Sequence, residues 1–116
     1  MQLEFARELI GMHVERILGK VFVNETGAAR LQQVGLFTLI FVFEKGGEPV
    51  TVKRLSEATG QSVGRVHLQL KKLLKVKVIG SKRALNRHGR GYVLHFFIKQ
   101  NAKTKRLLKA IAGDAS

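Results

Sequence analysis

Residues 51–75 read TVKRLSEATGQSVGRVHLQLKKLLK, and two short helices joined by a tight turn account for them. Thr51 suits the N-cap of the first helix, Val52, Leu55 and Ala58 fall on its inner face, and Gly60 supplies the left-handed residue that ends it. Ser62 caps the second helix, three residues after Thr59. Val63, Val66, Leu70 and Leu73 then recur at three and four residues, as one buried helical face requires, and Leu74 widens the stripe. Gly60-Gln61-Ser62 has the length of the turn in a helix-turn-helix.

Outward from this stretch the period changes twice. Upstream, Leu3, Ala6, Ile10, His13, Ile17 and Val21 predict a helix over 3–21, with Leu9, Val14 and Leu18 broadening its apolar arc. Phe22 to Gly27 reads as a connection in which Asn24 and Thr26 are both candidate N-caps. Ala28 to Lys45 predicts a second helix, apolar nearly all round and so suited to the centre of a small domain. Gly46-Gly47-Glu48-Pro49 stops it. Downstream, Val76–Ile79 and Tyr92–Ile98 are rich in β-branched and aromatic residues and predict two strands. The polar, basic, glycine-containing run 81–91 joins them as a hairpin loop. Ala102 to Ala112 predicts a last helix with Leu107, Leu108 and Ile111 inside and Lys103, Lys105, Arg106 and Lys109 outside.

The charge is lopsided. The chain has 116 residues and a formal net charge of +13. Residues 1–50 hold five Lys/Arg and six Glu, whereas residues 51–116 hold sixteen Lys/Arg with one Glu and one Asp. Fourteen cations and no acid lie between Arg65 and Lys109. Such a concentration repels itself unless a polyanion neutralises it. There is no Cys, hence no disulfide and no thiolate chemistry. The longest uncharged run, Leu31 to Phe43, falls short of the roughly 20 residues of a membrane span. The acidic opening Met-Gln-Leu-Glu-Phe is unlike a signal peptide. A cytoplasmic, prokaryotic, nucleoid-associated location is the expectation.

The order helix, helix, helix-turn-helix, hairpin, helix resembles a winged helix-turn-helix of the MarR type. The resemblance runs through Leu31-Gln-Gln-Val-Gly-Leu-Phe-Thr-Leu-Ile, through residues 49–67 and through Leu70-Lys-Lys-Leu, and covers roughly residues 28–112. It implies a mainly α fold with a β-hairpin wing. The second helix of the motif would be the recognition helix, and the terminal helices would make a dimer. The sequence departs from that family in three places. The glycine that usually follows the recognition helix falls near Lys77. The usual Asp-x-Arg of the wing is His88-Gly89-Arg90 here, without the acid. The Leu-Thr pair after the second wing strand is Ile98-Lys99. The expected organisation is one domain over 1–116. It comprises an N-terminal dimerisation helix (1–24), a winged core (25–100) and a C-terminal dimerisation helix (101–116).

On an ideal helix over 62–75 the face opposite the apolar stripe holds Gly64, Arg65, Leu68, Lys71, Lys72 and Lys75, with His67 and Gln69 at its sides. The DNA major groove admits one helix and shows a distinct donor and acceptor pattern for each base pair. Arg65 matches guanine O6 and N7, Leu68 a thymine methyl, and Gly64 lets the backbone come close. His67 and Gln61 complete the candidate base-reading set. Ser62, Lys71, Lys72, Lys75, Lys53 and Arg54 are candidate phosphate contacts, which position rather than specify. The wing residues Lys82, Arg83, Arg87, His88 and Arg90 suit the backbone or a narrow minor groove. Leu3, Ala6, Ile10, Ile17, Leu107, Leu108 and Ile111 are the candidate dimer interface. Each has a plainer reading. Leu68 belongs to the core if a neighbour covers it, His67 is an exposed polar residue, and the lysines complement the helix C-terminus.

No catalytic constellation is present. Paired carboxylates are absent from the basic half, and His13, His67, His88 and His95 lack metal spacing. His13 falls on an apolar stripe and reads as a core or interface histidine; His95 reads as structural. No cofactor, metal or effector is assigned. The leading expectation is a homodimeric, sequence-specific regulator of transcription, acting as a repressor on double-stranded DNA. An architectural or accessory protein of replication, conjugation or partition is the second. An RNA-binding module is the third, because only Tyr92, Phe96 and Phe97 offer stacking surfaces. Arg65→Ala should lower discrimination, and Lys72→Ala should weaken binding to every sequence alike.

Overall fold

The computed structural model describes residues 2–20, 22–85 and 91–100, with side chains from Arg7 onward except that of Leu9. Four helices precede a hairpin: α1 (Gln2–Gly19), α2 (Gly27–Lys45), α3 (Val52–Thr59), α4 (Val63–Val76), β1 (Ile79–Leu85) and β2 (Tyr92–Ile98). Each helix from α2 to α4 begins at a hydroxyl cap. Thr26 accepts from the Ala29 N–H, Thr51 from that of Arg54 and Ser62 from that of Arg65. Such caps contribute about 1 kcal/mol apiece. Gly60 ends α3 at φ 74, a left-handed conformation that glycine adopts without a Cβ penalty. The helix-turn-helix thus follows from cap chemistry at both of its ends.

The core lies where α2 crosses the other elements. Phe37 and Ile40 of α2 meet Ile17 of α1, Leu55 of α3, Val66, Leu70 and Leu73 of α4, and Ile79, Phe96 and Ile98 of the hairpin. Burying an aliphatic side chain of this size contributes about 2 kcal/mol, so α4 is held by its inner stripe rather than by its own propensity. β1 and β2 pair antiparallel, from Ile79↔Ile98 to Leu85↔Tyr92. The base of the hairpin is fastened three times. Phe96 N–H donates to Val50 O at 2.9 Å, Lys99 N–H to Val78 O at 2.9 Å, and Ile98 N–H to Glu44 Oε2 at 2.8 Å. The architecture is mainly α with a hairpin wing, the order of a winged helix.

The structure revises several local expectations. Val76 and Lys77 were expected in the first strand; instead Val76 ends α4 and Lys77 takes φ 67. Lys77 N–H bonds to Leu74 O and Val78 N–H to Leu73 O, which closes the helix as a Schellman turn. The apolar pair that accompanies this turn is Leu73 and Val78, both fully buried. A lysine therefore holds the conformation a glycine usually supplies, and β1 starts only at Ile79. β1 also runs on to Leu85, in register with all of β2, so Lys82 and Arg83 are strand residues rather than loop residues. Val63, expected inside, is half exposed in the first turn of α4. Ala58 is exposed, leaving Leu55 as the residue that α3 buries fully. α2 is not enclosed all round, since Leu31 and Val42 face outward. Of the two candidate caps, Thr26 serves; Asn24 sits in the connection at φ 61. Val21, placed in the first helix, and the last helix over 102–112 lie outside the described residues.

Candidate nucleic-acid interface

The inner stripe of α4 dictates what its other side shows. With Val66, Leu70 and Leu73 sealed in the core, the residues between them turn outward. Gly64, Arg65, His67, Leu68, Lys71 and Lys75 are all exposed. Leu68 is 53% exposed and lies between Arg65 and Lys71 along the helix. Among the described residues, no carboxylate pairs with Arg65, Lys71 or Lys75. The result is a positive strip on a rigid helix, with one apolar residue near its middle.

Lys72 does not belong to that strip. Its ammonium lies 3.0 Å from Glu25 Oε2, and its side chain is 24% exposed while that of Glu25 is fully enclosed. The same carboxylate oxygen accepts from Gln33 Nε2 at 2.7 Å, and the Phe22 ring lies 5.8 Å from the ammonium. Burial raises the Glu25 pKa, but the bonds from Lys72 and Gln33 outweigh it and hold the carboxyl below its ordinary value. Lys72, a candidate phosphate contact, thus already has an internal carboxylate partner. The pair joins the α1–α2 connection to the middle of α4.

A second tie comes from α2. Gln32 Oε1 accepts from Arg65 Nη2 at 3.0 Å and from Gln69 Nε2 at 2.9 Å. Gln69, placed at the side of the helix by the sequence, is buried. Arg65 therefore occupies the edge of the strip that borders α2.

The turn of the helix-turn-helix is built from backbone and hydroxyl bonds. Ser56 donates to Gln61 O at 2.6 Å, and Gln61 N–H donates to Thr59 Oγ1 at 3.2 Å. Gln61 is half-buried, with its backbone held in the turn. Ser62 accepts from Arg65 N–H, which leaves its hydroxyl hydrogen available to a phosphate oxygen. Lys53 is exposed in the first turn of α3, at the end away from the turn of the motif. Arg54, a candidate phosphate contact, has two neighbours of its own at the surface. Its guanidinium lies 4.4 Å from the centroid of the Phe43 ring and 3.6 Å from a Glu48 carboxylate oxygen.

The wing divides its charge. Alternation in a strand sends Lys82 to the face of Ala84, His95 and Phe97, and Arg83 to the face of Leu85, Tyr92 and Leu94. The two cations therefore do not form one basic group on a single face. Tyr92 is exposed, Phe96 is buried and Phe97 half-buried. Phe97 packs over Gly80, where a Cβ would come within 2.5 Å of its ring. Arg87, His88 and Arg90 lie outside the described residues.

The candidate dimer residues fare unevenly. Ile17 is wholly buried in the protein's own core, so it is unavailable to a partner. Ile10 is half-buried against the same core. The side chains of Leu3 and Ala6, and all of Leu107, Leu108 and Ile111, lie outside the description. His13 is buried edge-on to Phe37, with ring centroids 5.4 Å apart. Among the described residues neither of its nitrogens has a hydrogen-bond partner of good geometry, though the Lys99 backbone lies near the ring. Burial lowers its pKa, the Lys99 backbone opposes that shift, and Arg16 adds to it. His95 is half-buried within β2. Among the described residues, no group of three His, Asp or Glu is placed to hold a metal, and no helix is long and apolar enough to cross a membrane.

The sequence reading missed Glu25, Gln32 and Gln33, which hold α4 from outside the helix-turn-helix. Their one signal was the Gln32-Gln33 pair interrupting an otherwise apolar helix. Among solved structures, the chain is similar to one described as a possible transcriptional regulator from Methanosarcina mazei Go1. The TM-score is 0.51 at 16% identity, over 94% of this chain and 78% of that one. At that identity the likeness carries the fold. No family model and no curated protein matches the sequence.

Proposed function

We propose that this protein is a regulator of transcription of the MarR-like winged-helix type. It would bind double-stranded DNA as a homodimer and repress by occupying its site. In this reading α4 enters the major groove. Gly64, Arg65, His67 and Leu68 face base edges, and Lys71, Lys75, Lys53 and Ser62 face phosphates. The wing, with Lys82, Arg83, Arg87, His88 and Arg90, follows the backbone or the minor groove. The observation that carries the proposal is the exposed strip of α4. An exposed leucine among cations that have no carboxylate partner among the described residues, on a helix otherwise fixed by the core, suits a surface that is at once anionic and methyl-bearing. No cofactor or chemistry is required.

The test is selection of bound fragments from random duplex DNA at physiological salt. Recovery of a palindromic motif with half-sites about one helical turn apart supports the regulator and its dimer. Preference for that motif should reach about 10³ over random duplex, and Arg65→Ala should reduce it. Equal binding to all fragments would overturn sequence-specific regulation in favour of an architectural role, which the charge excess outside α4 also suits. Stronger binding to RNA than to duplex DNA of equal length would overturn both.

A further inference from the structure

Gln32 lies outside the helix-turn-helix, yet its single amide oxygen receives two donors from α4. One donor comes from Gln69, which is buried. A buried amide N–H left without a partner is costly, so this bond anchors the Gln32 oxygen. The other donor is Nη2 of Arg65, one turn earlier on α4 and exposed. The anchored oxygen thus holds a side chain that would otherwise sample many rotamers. An arginine has five N–H donors, and this bond consumes one. Among the described residues the remaining four have no partner, and the bond to the exposed Gln32 is already made before any ligand arrives.

We propose that Gln32 is a positioning residue for Arg65, fixing the guanidinium at the α2 edge of the exposed strip and thereby setting how sharply one base is discriminated. This rests on the duplex-reading role proposed for α4. The physical cause is preorganisation. A flexible side chain immobilised only on binding lowers affinity, and one immobilised beforehand does not. It also fixes direction. A held guanidinium meets guanine O6 and N7 in one geometry, whereas a free one reaches phosphates and neighbouring bases indifferently.

The experiment compares the full-length protein with Gln32→Ala, Arg65→Ala and the double variant. Each is titrated against the duplex recovered by selection and against a scrambled duplex of the same length and composition. Gln32→Ala should reduce the ratio of the two affinities about three- to tenfold and leave scrambled-duplex binding within about twofold. In the Arg65→Ala background it should have no further effect on the ratio. Should the Ala variant fold poorly, Gln32→Leu with Gln69→Leu removes both partners without stranding a buried amide and should give the same loss. The Arg65 side-chain N–H signals in NMR of the free protein give a reading independent of DNA: restricted in the parent, mobile in Gln32→Ala. An unchanged ratio, an equal loss in the Arg65→Ala background, or Arg65 already mobile in the parent overturns the positioning role while leaving duplex recognition intact. No preference by the parent protein for any duplex overturns the base-reading role of α4, and this role with it.

Discussion

Lys71 and Lys72 are adjacent, carry the same charge and sit on the same helix, yet the fold uses them oppositely. Lys71 is exposed and has no carboxylate partner among the described residues. Lys72 is turned roughly 100° further round the helix, far enough to reach the enclosed carboxylate of Glu25. One is available to an external anion, and the other is already neutralised by an internal one. Net charge therefore overstates what a partner meets. The useful quantity is the set of cations that packing leaves without an internal acid.

The largest effect should come from breaking the committed member. Lys72→Met strands an enclosed carboxylate and should destabilise the fold by about 3 kcal/mol, or about 10 °C in Tm, measurable by calorimetry. Adding Glu25→Gln should recover more than half of that loss. A Lys72→Met variant as stable as the parent would mean that the pair is not what holds the α1–α2 connection to α4.

Lys71→Ala should do the reverse. Stability should stay within about 0.5 kcal/mol, while duplex binding weakens for all sequences and the slope of log K against log salt falls by about 1. Fluorescence anisotropy across a salt series gives that slope. An unchanged slope would remove Lys71 from the phosphate contacts.

A buried cation-to-be sharpens the comparison from another side. Burial depresses the His13 pKa below the 6.5 of a free imidazole, so the unfolded chain binds more protons than the folded one in acid. Stability is full above about pH 6.5 and is lost as pH falls through the depressed value. His13→Phe should flatten denaturation midpoints between pH 7 and 5, a window above the ordinary carboxylate range. A parent protein whose stability does not fall in that window would show that His13 does not titrate differently on folding.

The smallest effect concerns Lys77, whose backbone rather than charge is at issue. Lys77→Gly should stabilise by about 0.5 kcal/mol, the relief of a left-handed lysine offset by the extra freedom of an unfolded glycine. Urea midpoints measure it, and a lower midpoint would place the strain elsewhere.

Much of the frame was legible from residue types. Thr51, Ser62 and Gly60 mark helix ends because a hydroxyl cap and a left-handed glycine act within four residues. The inner stripe of α4 from Val66 to Leu73, though not Val63, and the bounds of β2 were readable for the same reason, since period and turn chemistry are local. Lys77 was not, because lysine carries no local preference for φ 67 and adopts it only to let Val78 reach Leu73. Nor were the roles of Gln32 and Glu25 legible. Their partners lie 33 to 47 residues away along the chain, and an amide or a carboxylate does not announce which donor will come to it. Ile17 shows the limit from the apolar side. Its spacing marked it for burial, but spacing cannot say whether the covering surface belongs to the same chain or to another.

Short-range chemistry along this chain was enough to establish where its helices start and stop, which face of α4 turns inward, and that positive charge gathers in the second half. Assembly in three dimensions decided which of those charges meet an internal acid, pairing Lys72 with Glu25 and Arg54 with Glu48 and leaving Arg65, Lys71 and Lys75 outward without a carboxylate among the described residues. The reason is that caps and periodicity are properties of neighbouring residues, whereas the fate of an ion depends on whatever distant group the packed core happens to bring within 3 to 4 Å of it.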